Sequence, residues 1–454
     1  MKYHDFIKTK SFKAVISGFD ADLKNYPLFD YQRDIARWAL MRGKAAIFAD
    51  TGLGKTIMQL SWAEQVAYYT GKPVLILAPL AVSDQTISEG VKFGIGVSKY
   101  NSESHAGAGV YITNYEQLHK CDPSNFGGVV LDESSILKGM NGALRKLITE
   151  FASSIHYRLS CTATPSPNDF MELGTQSEFL GIMSQVEMLA MFFVHDGSDT
   201  SKWRLKGHGR RKFFEWLATW SVFISKPSDL GYEDKGHDLP ELIMHDYVID
   251  SGITDGLFAP IAQGLLERNT ARRDTVNARV SKASEIANGI DGQCLVWCHL
   301  NDESQLLTSL INDAVEVTGS DDPEKKARNL LGFASNDVKK LVSKPKIAGF
   351  GMNYQNCNQM IFVGLSDSWE QFYQAVRRCW RYGQKKPVHV HIISADVEGA
   401  VLANIKRKEE QNRILKAEMI EVMKDKTLAQ FGKASQEKTE YKPTKQMGIP
   451  TWAA

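Results

Sequence analysis

The octapeptide Ala49-Asp-Thr-Gly-Leu-Gly-Lys-Thr56 is the feature that most restricts how this 454-residue chain can fold. It overlaps the end of the apolar run AAIFAD, and the helical pattern TIMQLSWAEQVAYY begins at its last residue. A glycine-rich turn between a strand and a helix lets backbone N–H groups surround a phosphate, and the helix N-terminus adds partial positive charge. The segment therefore predicts a phosphate-binding loop (P-loop) in an α/β fold, although Ala49 stands where a strict pattern has glycine.

Each residue of this P-loop has an expected role if the ligand is a nucleotide. We expect the Lys55 ammonium to reach the β and γ phosphates and the Thr56 hydroxyl to hold Mg²⁺. The remaining nucleotide contacts are expected at Thr51, Gly52, Leu53 and Gly54. The alternative is a glycine-rich turn that binds no nucleotide, which Gly-Lys-Thr between a strand and a helix disfavours.

Short apolar runs separated by helical patterns occur in two stretches of the chain. The first stretch has runs at 45–50, 74–78, 110–114, 129–132 and 157–162. The second stretch has runs at 294–298, 315–318, 346–350, 360–363 and 388–393. About five strands in each stretch predict two doubly wound lobes, each with a mainly parallel sheet flanked by helices.

Two acids, Asp132 and Glu133, stand at the end of one of these runs, 77 residues after Lys55. Parallel strands bring ligand-binding residues to the carboxyl edge of their sheet. We therefore expect Asp132 to hold Mg²⁺ and Glu133 to orient and deprotonate a water molecule. Small hydroxyl residues at the end of the next run, in 160–164, are candidates for hydrogen bonds to the neighbouring lobe. The alternative is a solvated strand end for the two acids and a plain strand-to-turn sequence for 160–164.

Far downstream, the segment Gln374-Ala-Val-Arg-Arg-Cys-Trp-Arg-Tyr-Gly-Gln384 carries arginines three residues apart, Arg378 and Arg381. On a helix this spacing puts both side chains on one face. A planar guanidinium suits a phosphoryl group in transfer, because it stabilises the charge that develops in the transition state. The alternative is a solvated basic face of a helix.

Composition and charge set limits without indicating a partner. Hydrophobic residues make up 43% and charged residues 24% of the chain, as in an ordinary soluble protein, and the formal net charge is +1. A nucleic-acid partner would therefore have to bind at local basic clusters. The N-terminus lacks the apolar core of a signal peptide, and the longest apolar run, 188–194, is too short to cross a bilayer. With six scattered cysteines, we expect a reduced, cytoplasmic protein.

These motifs, in this order, resemble those of superfamily-two helicases over residues 30 to 385. Within that superfamily the chain is similar to the Swi/Snf family of double-stranded DNA translocases, in the compact form found in phages and bacteria. The matching elements are Tyr31-Gln32, the P-loop, Leu77-Ala-Pro79-Leu, Thr113-Asn-Tyr115, Asp132-Glu133, Thr162-Ala-Thr-Pro165, Gly349-Phe-Gly-Met-Asn-Tyr-Gln355 and the arginine segment. The sequence pattern Gln-x-x-x-Arg-x-x-Arg-x-Gly-Gln and the preceding Asp367-Ser-Trp369 are typical of Swi/Snf proteins.

The resemblance implies an α/β fold of two tandem RecA-like P-loop lobes with a helical insert between them. The expected division is lobe 1 at 1–169, a helical and basic insert with its linker at 170–250, lobe 2 at 251–400, and a charged helix with a flexible tail at 401–454. Within this frame, residues 251–288 are predicted to form a helix that leads into the second lobe.

The resemblance also implies roles for residues outside the P-loop. Gln32 is expected to bind the adenine edge, Gly351 to approach the nucleotide, and Arg378 and Arg381 to act as arginine fingers. DNA contacts are implied at Pro79, Thr113, Asn114, Asn353 and Gln355. Two departures from the family stand out: serines follow Asp132-Glu133 where a histidine is usual, and Arg377 occupies a place usually held by a small residue.

A basic run in the insert is a further candidate for DNA binding. Its cations include Lys202, Arg204, Arg210 and Arg211, and aromatic residues are interleaved with them. The alternative is a solvated loop that precedes an amphipathic helix.

The resemblance implies a motor of the Swi/Snf type that hydrolyses ATP, with Mg²⁺, between two lobes bound to duplex DNA. Contacts to the phosphate backbone carry no sequence information, so binding is expected to tolerate any sequence. No membrane partner is expected. Two alternatives stay open, namely a strand-separating DNA or RNA helicase of superfamily two and an ATP-switched DNA-binding remodeller without processive movement.

Overall fold

A computed structural model of the chain describes residues 12, 15–79, 82–101, 107–139, 142–166, 169–196, 199–234, 236–250, 275–348, 352–366, 368–396 and 399–431. Among the helices in these ranges, none is both long enough and apolar enough to cross a membrane. Gly351, the tail after 431 and the first part of the helix predicted at 251–288 lie outside the described residues.

The strands of these ranges form two large sheets and one hairpin. They are β1 (Lys44–Ala49), β2 (Val74–Ala78), β3 (Val97–Lys99), β4 (Val110–Asn114), β5 (Gly128–Asp132), β6 (Tyr157–Cys161), β7 (Phe193–Asp196), β8 (Asp199–Leu205), β9 (Ser221–Ile224), β10 (Leu242–Ile249), β11 (Cys294–Trp297), β12 (Ala314–Val317), β13 (Lys340–Ser343), β14 (Gln359–Val363) and β15 (Val388–Ala395). The first sheet has the order β3-β4-β2-β5-β6-β1-β9 and the second β10-β15-β14-β11-β13-β12. All strand pairs in both sheets are parallel, and the β7–β8 hairpin is antiparallel.

Helices cover the sheets and connect the lobes. They are α1 (Asp30–Arg42), α2 (Lys55–Thr70), α3 (Ser83–Phe93), α4 (Ile136–Gly139), α5 (Gly142–Ser153), α6 (Leu173–Leu180), α7 (Gln185–Phe192), α8 (Arg210–Leu217), α9 (Val276–Asn288), α10 (Asn301–Leu310), α11 (Pro323–Ala334), α12 (Pro345–Ala348), α13 (Trp369–Val376) and α14 (Gly399–Gln430). Short 3-10 helices occur at Tyr115–Lys120, Pro123–Asn125, Phe170–Glu172, Gly207–Gly209 and Pro227–Leu230. The fold class predicted from the sequence, two mainly parallel sheets flanked by helices as in tandem RecA-like lobes, is confirmed.

The central strands of the first sheet are buried on both faces. Every residue of β2, β5 and β6 is buried, as the near-continuous apolar sequence of a covered parallel strand requires. Alternate residues of β1 serve different cores, since Ile47 packs in one apolar cluster and Phe48 in the cluster on the opposite face. This double burial fixes the register and leaves the carboxyl ends of the strands free to carry function.

Nine of the ten apolar runs form strands whose ends lie within two residues of the predicted positions, and the run 346–350 is the exception. The structure places a helix, α12, at Pro345–Ala348, and the strand is β13, which ends at Ser343. All four residues of β13 are buried. Pro345 stands at the first position of a helix, where its missing N–H and fixed φ are favourable, so the chain turns before the predicted strand.

The segment between the predicted lobes contributes strands to both sheets. Within 170–250, β9 pairs with β1 at the edge of the first sheet, and β10 pairs with β15 at the edge of the second. The same segment holds helices α6, α7 and α8 and the β7–β8 hairpin, which carries Lys202 and Arg204 on a strand. The domain boundaries given above stay predictions.

The charged segment after the second sheet forms one 32-residue helix, α14, as predicted. Val401 and Ile405, near its start, pack in the core of the second lobe. Met419 and Met423, near its end, pack in the core of the first lobe. This helix therefore joins the two lobes.

Candidate nucleotide site between the lobes

The P-loop adopts a backbone conformation that explains its glycines. Gly54 has φ 76° and ψ 41°, in the left-handed region, directly before α2. A Cβ atom at this position would lie 2.3 Å from Nε2 of Gln32. Only glycine meets both demands without strain, and the N-terminus of α2 then faces the space above the loop.

Gln32 is fixed against the P-loop by hydrogen bonds at both ends of its amide. Its Nε2 donates to the carbonyl oxygen of Leu53 at 2.9 Å, and its Oε1 accepts from the backbone N–H of Phe29 at 2.9 Å. The Tyr31 hydroxyl donates to the same Leu53 carbonyl at 3.0 Å. Gln32 thus supports the loop from behind, while its contact with adenine stays a prediction.

The two acids of the first lobe lie at the carboxyl end of β5. Burial, followed by the charge of Glu133, raises the pKa of Asp132 to about 7. Glu133 has φ 50°, an unusual backbone angle for a residue with a side chain. Its Oε2 is buried and has no hydrogen-bond partner in the described part of the chain. The carboxylate pair is therefore electrostatically suited to a cation, and Glu133 has an oxygen free to accept a proton.

Lys55 lies beside these acids and is partly buried. Its Nζ donates to the backbone oxygen of Ala49 at 2.8 Å, and burial lowers its pKa. The charges of Glu133, Asp50 and Asp132 act in the opposite direction without reversing the shift. An anion at this position would stabilise the charged ammonium.

The arginines of the second lobe follow a helix and do not lie on it. Helix α13 ends at Val376, and residues 377–381, which we call the arginine turn, tighten so that Arg378 and Cys379 donate backbone hydrogen bonds to carbonyls three residues earlier. The prediction that the spacing places both arginines on one helical face is wrong. The turn nevertheless directs Arg378 and Arg381 to the same cleft.

Both arginines are held by groups of their own lobe. Arg378 donates from Nε to the Gln374 carbonyl at 3.2 Å and from Nη1 to the Met352 carbonyl at 3.4 Å. Arg381 donates from Nη1 to Oδ1 of Asn353. Burial lowers the pKa of Arg378, and burial together with the charge of Arg378 lowers the pKa of Arg381 to about 10. A negatively charged ligand would therefore stabilise both neighbouring cations, of which Arg378 is buried and Arg381 partly buried.

A cleft of about 460 Å³ brings these groups together. The predicted residues that line it are Gln32, Thr51, Gly52, Gly54, Lys55, Thr56, Asp132, Glu133, Asn353, Gln355, Arg378 and Arg381. Leu53 is buried beneath the loop. Phe29, His237 and Tyr382 also line the cleft, and the rings of His237 and Tyr382 lie 5.0 Å apart. The two lobes therefore contribute opposite walls of one site.

The residues implied as DNA contacts divide into two groups. Asn353 and Gln355 lie in the cleft, whereas Pro79, Thr113 and Asn114 lie at the carboxyl ends of β2 and β4. The side chain of Asn114 accepts a hydrogen bond from the backbone N–H of Gln117.

The basic residues of the insert lie apart from the cleft. Arg210 forms an ion pair with Glu418 of α14, while the side chain of Arg211 is 84% exposed. Arg204 is exposed on β8, and the side chain of Lys202 is outside the described part. DNA binding at all these positions stays a prediction.

Contacts between the lobes include groups that the motif analysis missed. Asp50, the second residue of the P-loop octapeptide, pairs with Arg377 at 3.1 Å and with Lys416 of α14 at 3.3 Å. Burial opposes ionisation of Asp50, but the charges of Arg377 and Lys416 outweigh it and hold the pKa of Asp50 well below its usual range. The only signal in the sequence was Arg377, as a departure from the family pattern.

A second interlobe contact agrees with the sequence analysis. The Thr164 hydroxyl donates to the Glu370 carboxylate of α13 at 2.7 Å. The prediction that a small hydroxyl residue after β6 bonds to the neighbouring lobe is confirmed.

Comparisons with known proteins agree with this architecture. The helicase conserved C-terminal domain matches residues 278–383. Protein p41 of Acyrthosiphon pisum secondary endosymbiont phage 1 is 24% identical over 477 residues, which covers 89% of this chain and 100% of p41. The bifunctional helicase and thymine dioxygenase of Leishmania tarentolae is 35% identical over 107 residues, which covers 22% of this chain and 10% of that protein.

Among solved structures, the Sulfolobus solfataricus SWI2/SNF2 ATPase core in complex with dsDNA covers 85% of this chain and 90% of that chain, at 18% identity and a TM-score of 0.41. The helicase domain match lies on the second lobe and includes the arginine turn, while the phage relative extends the similarity over both lobes. The second lobe thus matches a helicase C-terminal domain, and the predicted resemblance to superfamily-two helicases is confirmed.

Proposed function

We propose that this chain is an ATP-driven motor that moves along duplex DNA and hydrolyses ATP in the cleft between its lobes. The observation that carries the proposal is the meeting of Lys55 from one lobe with Arg378 and Arg381 from the other. Burial lowers the pKa of all three cations, and all three line one cleft of about 460 Å³. A bound triphosphate would supply negative charge that balances these cations.

The cleft fits ATP with Mg²⁺ in its remaining groups. Thr56 and Asp132 offer a hydroxyl and a carboxylate oxygen, which are the hard ligands that Mg²⁺ takes beside phosphate oxygens. Thr51 Oγ1 and Arg381 Nε are buried without hydrogen-bond partners among the described residues, so polar groups are available to a ligand. When bound, Mg²⁺ would neutralise charge on the β and γ phosphates.

The chemistry assigned to the chain is a water attack on the γ phosphorus. Glu133 accepts a proton from the attacking water, which forms the new O–P bond as the bond to the ADP oxygen breaks. The products are ADP, phosphate and one proton. Lys55 binds the β and γ phosphates, and Arg378 and Arg381 stabilise the charge on the transferring group.

Movement follows from the division of the site between lobes. ATP binds fully only when both walls are close, so binding favours closure and hydrolysis removes that preference. If each lobe holds the phosphate backbone, cycles of closing and opening advance the chain along DNA. Such binding should tolerate any sequence and weaken steeply with salt.

The decisive experiment measures ATPase rate in parallel without nucleic acid and with single-stranded DNA, duplex DNA and duplex RNA. We expect the largest stimulation with duplex DNA and background rates for Lys55→Ala. Triplex displacement without separation of a duplex would support the translocase, whereas separation would indicate a strand-separating helicase. Turnover without movement would indicate the ATP-switched remodeller. No ATPase activity under any condition would overturn the proposal.

A further inference from the structure

Four side chains from three parts of the chain meet at the beginning of the P-loop. Asp50 Oδ1 accepts from the Tyr373 hydroxyl and from the backbone N–H of Thr51. Asp50 Oδ2 accepts from Arg377 Nη2 at 3.1 Å and from Lys416 Nζ at 3.3 Å. The carboxylate is thus shared between the first lobe, the second lobe and α14.

The cluster is buried and geometrically defined. The side chains of Asp50 and Arg377 are 8% and 9% exposed, and that of Lys416 is 14% exposed. The Arg377 guanidinium carbon lies 4.5 Å from the ring centroid of Trp380 and 5.3 Å from that of Tyr373. Aromatic rings at these distances favour a cation and restrict its orientation. A solvated surface ion pair would have neither feature.

The position of the cluster connects it to both walls of the cleft. The backbone oxygen of Asp50 accepts from Leu53 N–H at 3.4 Å and from Lys55 Nζ at 3.4 Å, so this residue sets the start of the P-loop. Arg377 is the first residue of the arginine turn, directly before Arg378. A shift of the Asp50–Arg377 pair therefore moves the arginine turn relative to the loop.

Helix α14 is held at both ends, with Lys416 between the two anchors. Val401 and Ile405 pack in the second lobe, while Gln430 accepts from Trp38 Nε1 of the first lobe at 2.8 Å. A helix of this length is about 48 Å long and stiff, so it resists separation of the lobes unless one anchor or the Lys416 contact is released.

We propose that Asp50, Tyr373, Arg377 and Lys416 form an interlobe lock that positions the arginine turn over the P-loop and makes α14 part of the ATPase unit. Arg377 and Lys416 are positioning residues, since their charges are directed to Asp50. The consequence for hydrolysis rests on the proposed function, whereas the consequence for lobe separation does not.

The first test measures the distance between the lobes without nucleotide. Spin labels are attached at Ala143→Cys on α5 and Gln305→Cys on α10, both exposed, in a Cys121→Ser background because the other five cysteines are buried. We expect one dominant distance for the otherwise unchanged protein and a new, longer population in Arg377→Gln and in Lys416→Gln. Arg413→Gln is the matched control, because this exposed cation of α14 pairs with Glu410 in the same helix and lies apart from the Asp50 cluster.

The second test separates positioning from binding. In Arg377→Gln and Lys416→Gln we expect kcat for ATP to fall by roughly tenfold while KM changes by less than about threefold, as for loss of an interaction that acts on the transition state. Arg377→Lys should recover part of kcat. The variant that combines Asp50→Asn with Arg377→Gln should have a kcat no lower than the lower of the two single variants. Both single substitutions remove the same contact, so their effects should not add.

The outcomes distinguish the lock from the proposed function. An unchanged lobe distance in both Arg377→Gln and Lys416→Gln would overturn the lock, and so would a rise in KM with kcat unchanged. If Arg377→Gln fails to fold by circular dichroism, Lys416→Gln carries the same test with Asp50 and Arg377 still paired. A chain that hydrolyses no ATP would remove the proposed function, yet the distance measurement would still decide the lock.

Discussion

The two walls of the cleft are built by different means. In the first lobe, the phosphate-binding part of the wall is one short segment of strand, glycine turn and helix N-terminus, and Asp132 and Glu133 stand beside it at the carboxyl end of β5. In the second lobe, the wall is a turn after α13 whose arginines are directed by Gln374, Met352 and Asn353. The first wall is a local property of the sequence, whereas the second depends on tertiary contacts.

The difference fits the proposed function. In a cycle of ATP hydrolysis the P-loop would bind phosphate throughout, and backbone angles such as that of Gly54 fix its geometry. The arginine turn would approach and withdraw as the lobes close and open, and the side-chain contacts that direct its arginines would allow this. Under the proposal, phosphate binding depends on rigid local structure, and the conformational change depends on contacts between the lobes.

The largest expected effect lies in the second wall. Replacing Arg381 by alanine should leave ATP binding within a few-fold and lower DNA-stimulated kcat by about 10³, since an arginine finger contributes about 10³–10⁵ to phosphoryl transfer. Equilibrium binding of a fluorescent ATP analogue and steady-state turnover measure the two quantities. Lys385→Gln, an exposed cation shortly after the arginine turn, is the control. Normal turnover in Arg381→Ala would exclude the finger role.

The next effect lies in the first wall. Glu133→Gln keeps the size of the side chain but cannot accept a proton, so we expect kcat to fall by about 10²–10³ with ATP still bound. The variant should then retain the closed arrangement when ATP is present, because binding remains and hydrolysis does not. Single-turnover kinetics with radiolabelled ATP separate these steps. A rate close to that of the unchanged protein would show that another group accepts the proton.

The positions of Glu133 and Lys55 in the cleft were predictable from the sequence, and for the same reason. Each belongs to a short motif at the end of a strand, so its place in the fold follows from nearby residues. The contact between Asp50 and Tyr373 was not predictable, because the two residues are 323 positions apart and neither belongs to a recognised pair. The strand predicted at 346–350 failed for a local reason, since apolar periodicity did not outweigh the helix-starting effect of Pro345.

A smaller effect tests whether the first wall is fixed by backbone geometry. Gly54 and Gly71 both have positive φ, and they stand at opposite ends of α2. Alanine in the left-handed region costs about 1–2 kcal/mol at either position. At Gly71 nothing lies within 4 Å of the new Cβ, whereas at Gly54 the Cβ meets Gln32 Nε2 at 2.3 Å.

We therefore expect both Gly54→Ala and Gly71→Ala to lower the free energy of unfolding in urea, and only Gly54→Ala to raise KM for ATP by roughly tenfold. The difference between the two variants isolates the displacement of Gln32 from backbone strain. Equal kinetics in both variants would show that the Gln32–Leu53 contact does not set the P-loop geometry.

The smallest effect concerns the basic residues of the insert, which lie outside both walls. Arg210 pairs with Glu418, whereas Arg204 is exposed and Arg211, whose side chain is 84% exposed, pairs with Glu215 at the surface. These two cations are therefore candidates for contact with a phosphate backbone. If each contacts one phosphate, Arg204→Gln with Arg211→Gln should reduce the slope of log affinity against log salt by about 2. Lys146→Gln on α5 is the control, because its side chain is 75% exposed and its ion pair with Glu150 is at the surface. An unchanged slope would show that these two arginines do not contact DNA, and the residues at the carboxyl ends of β2 and β4 would then be the candidates. The role left for the insert would be its contact with α14.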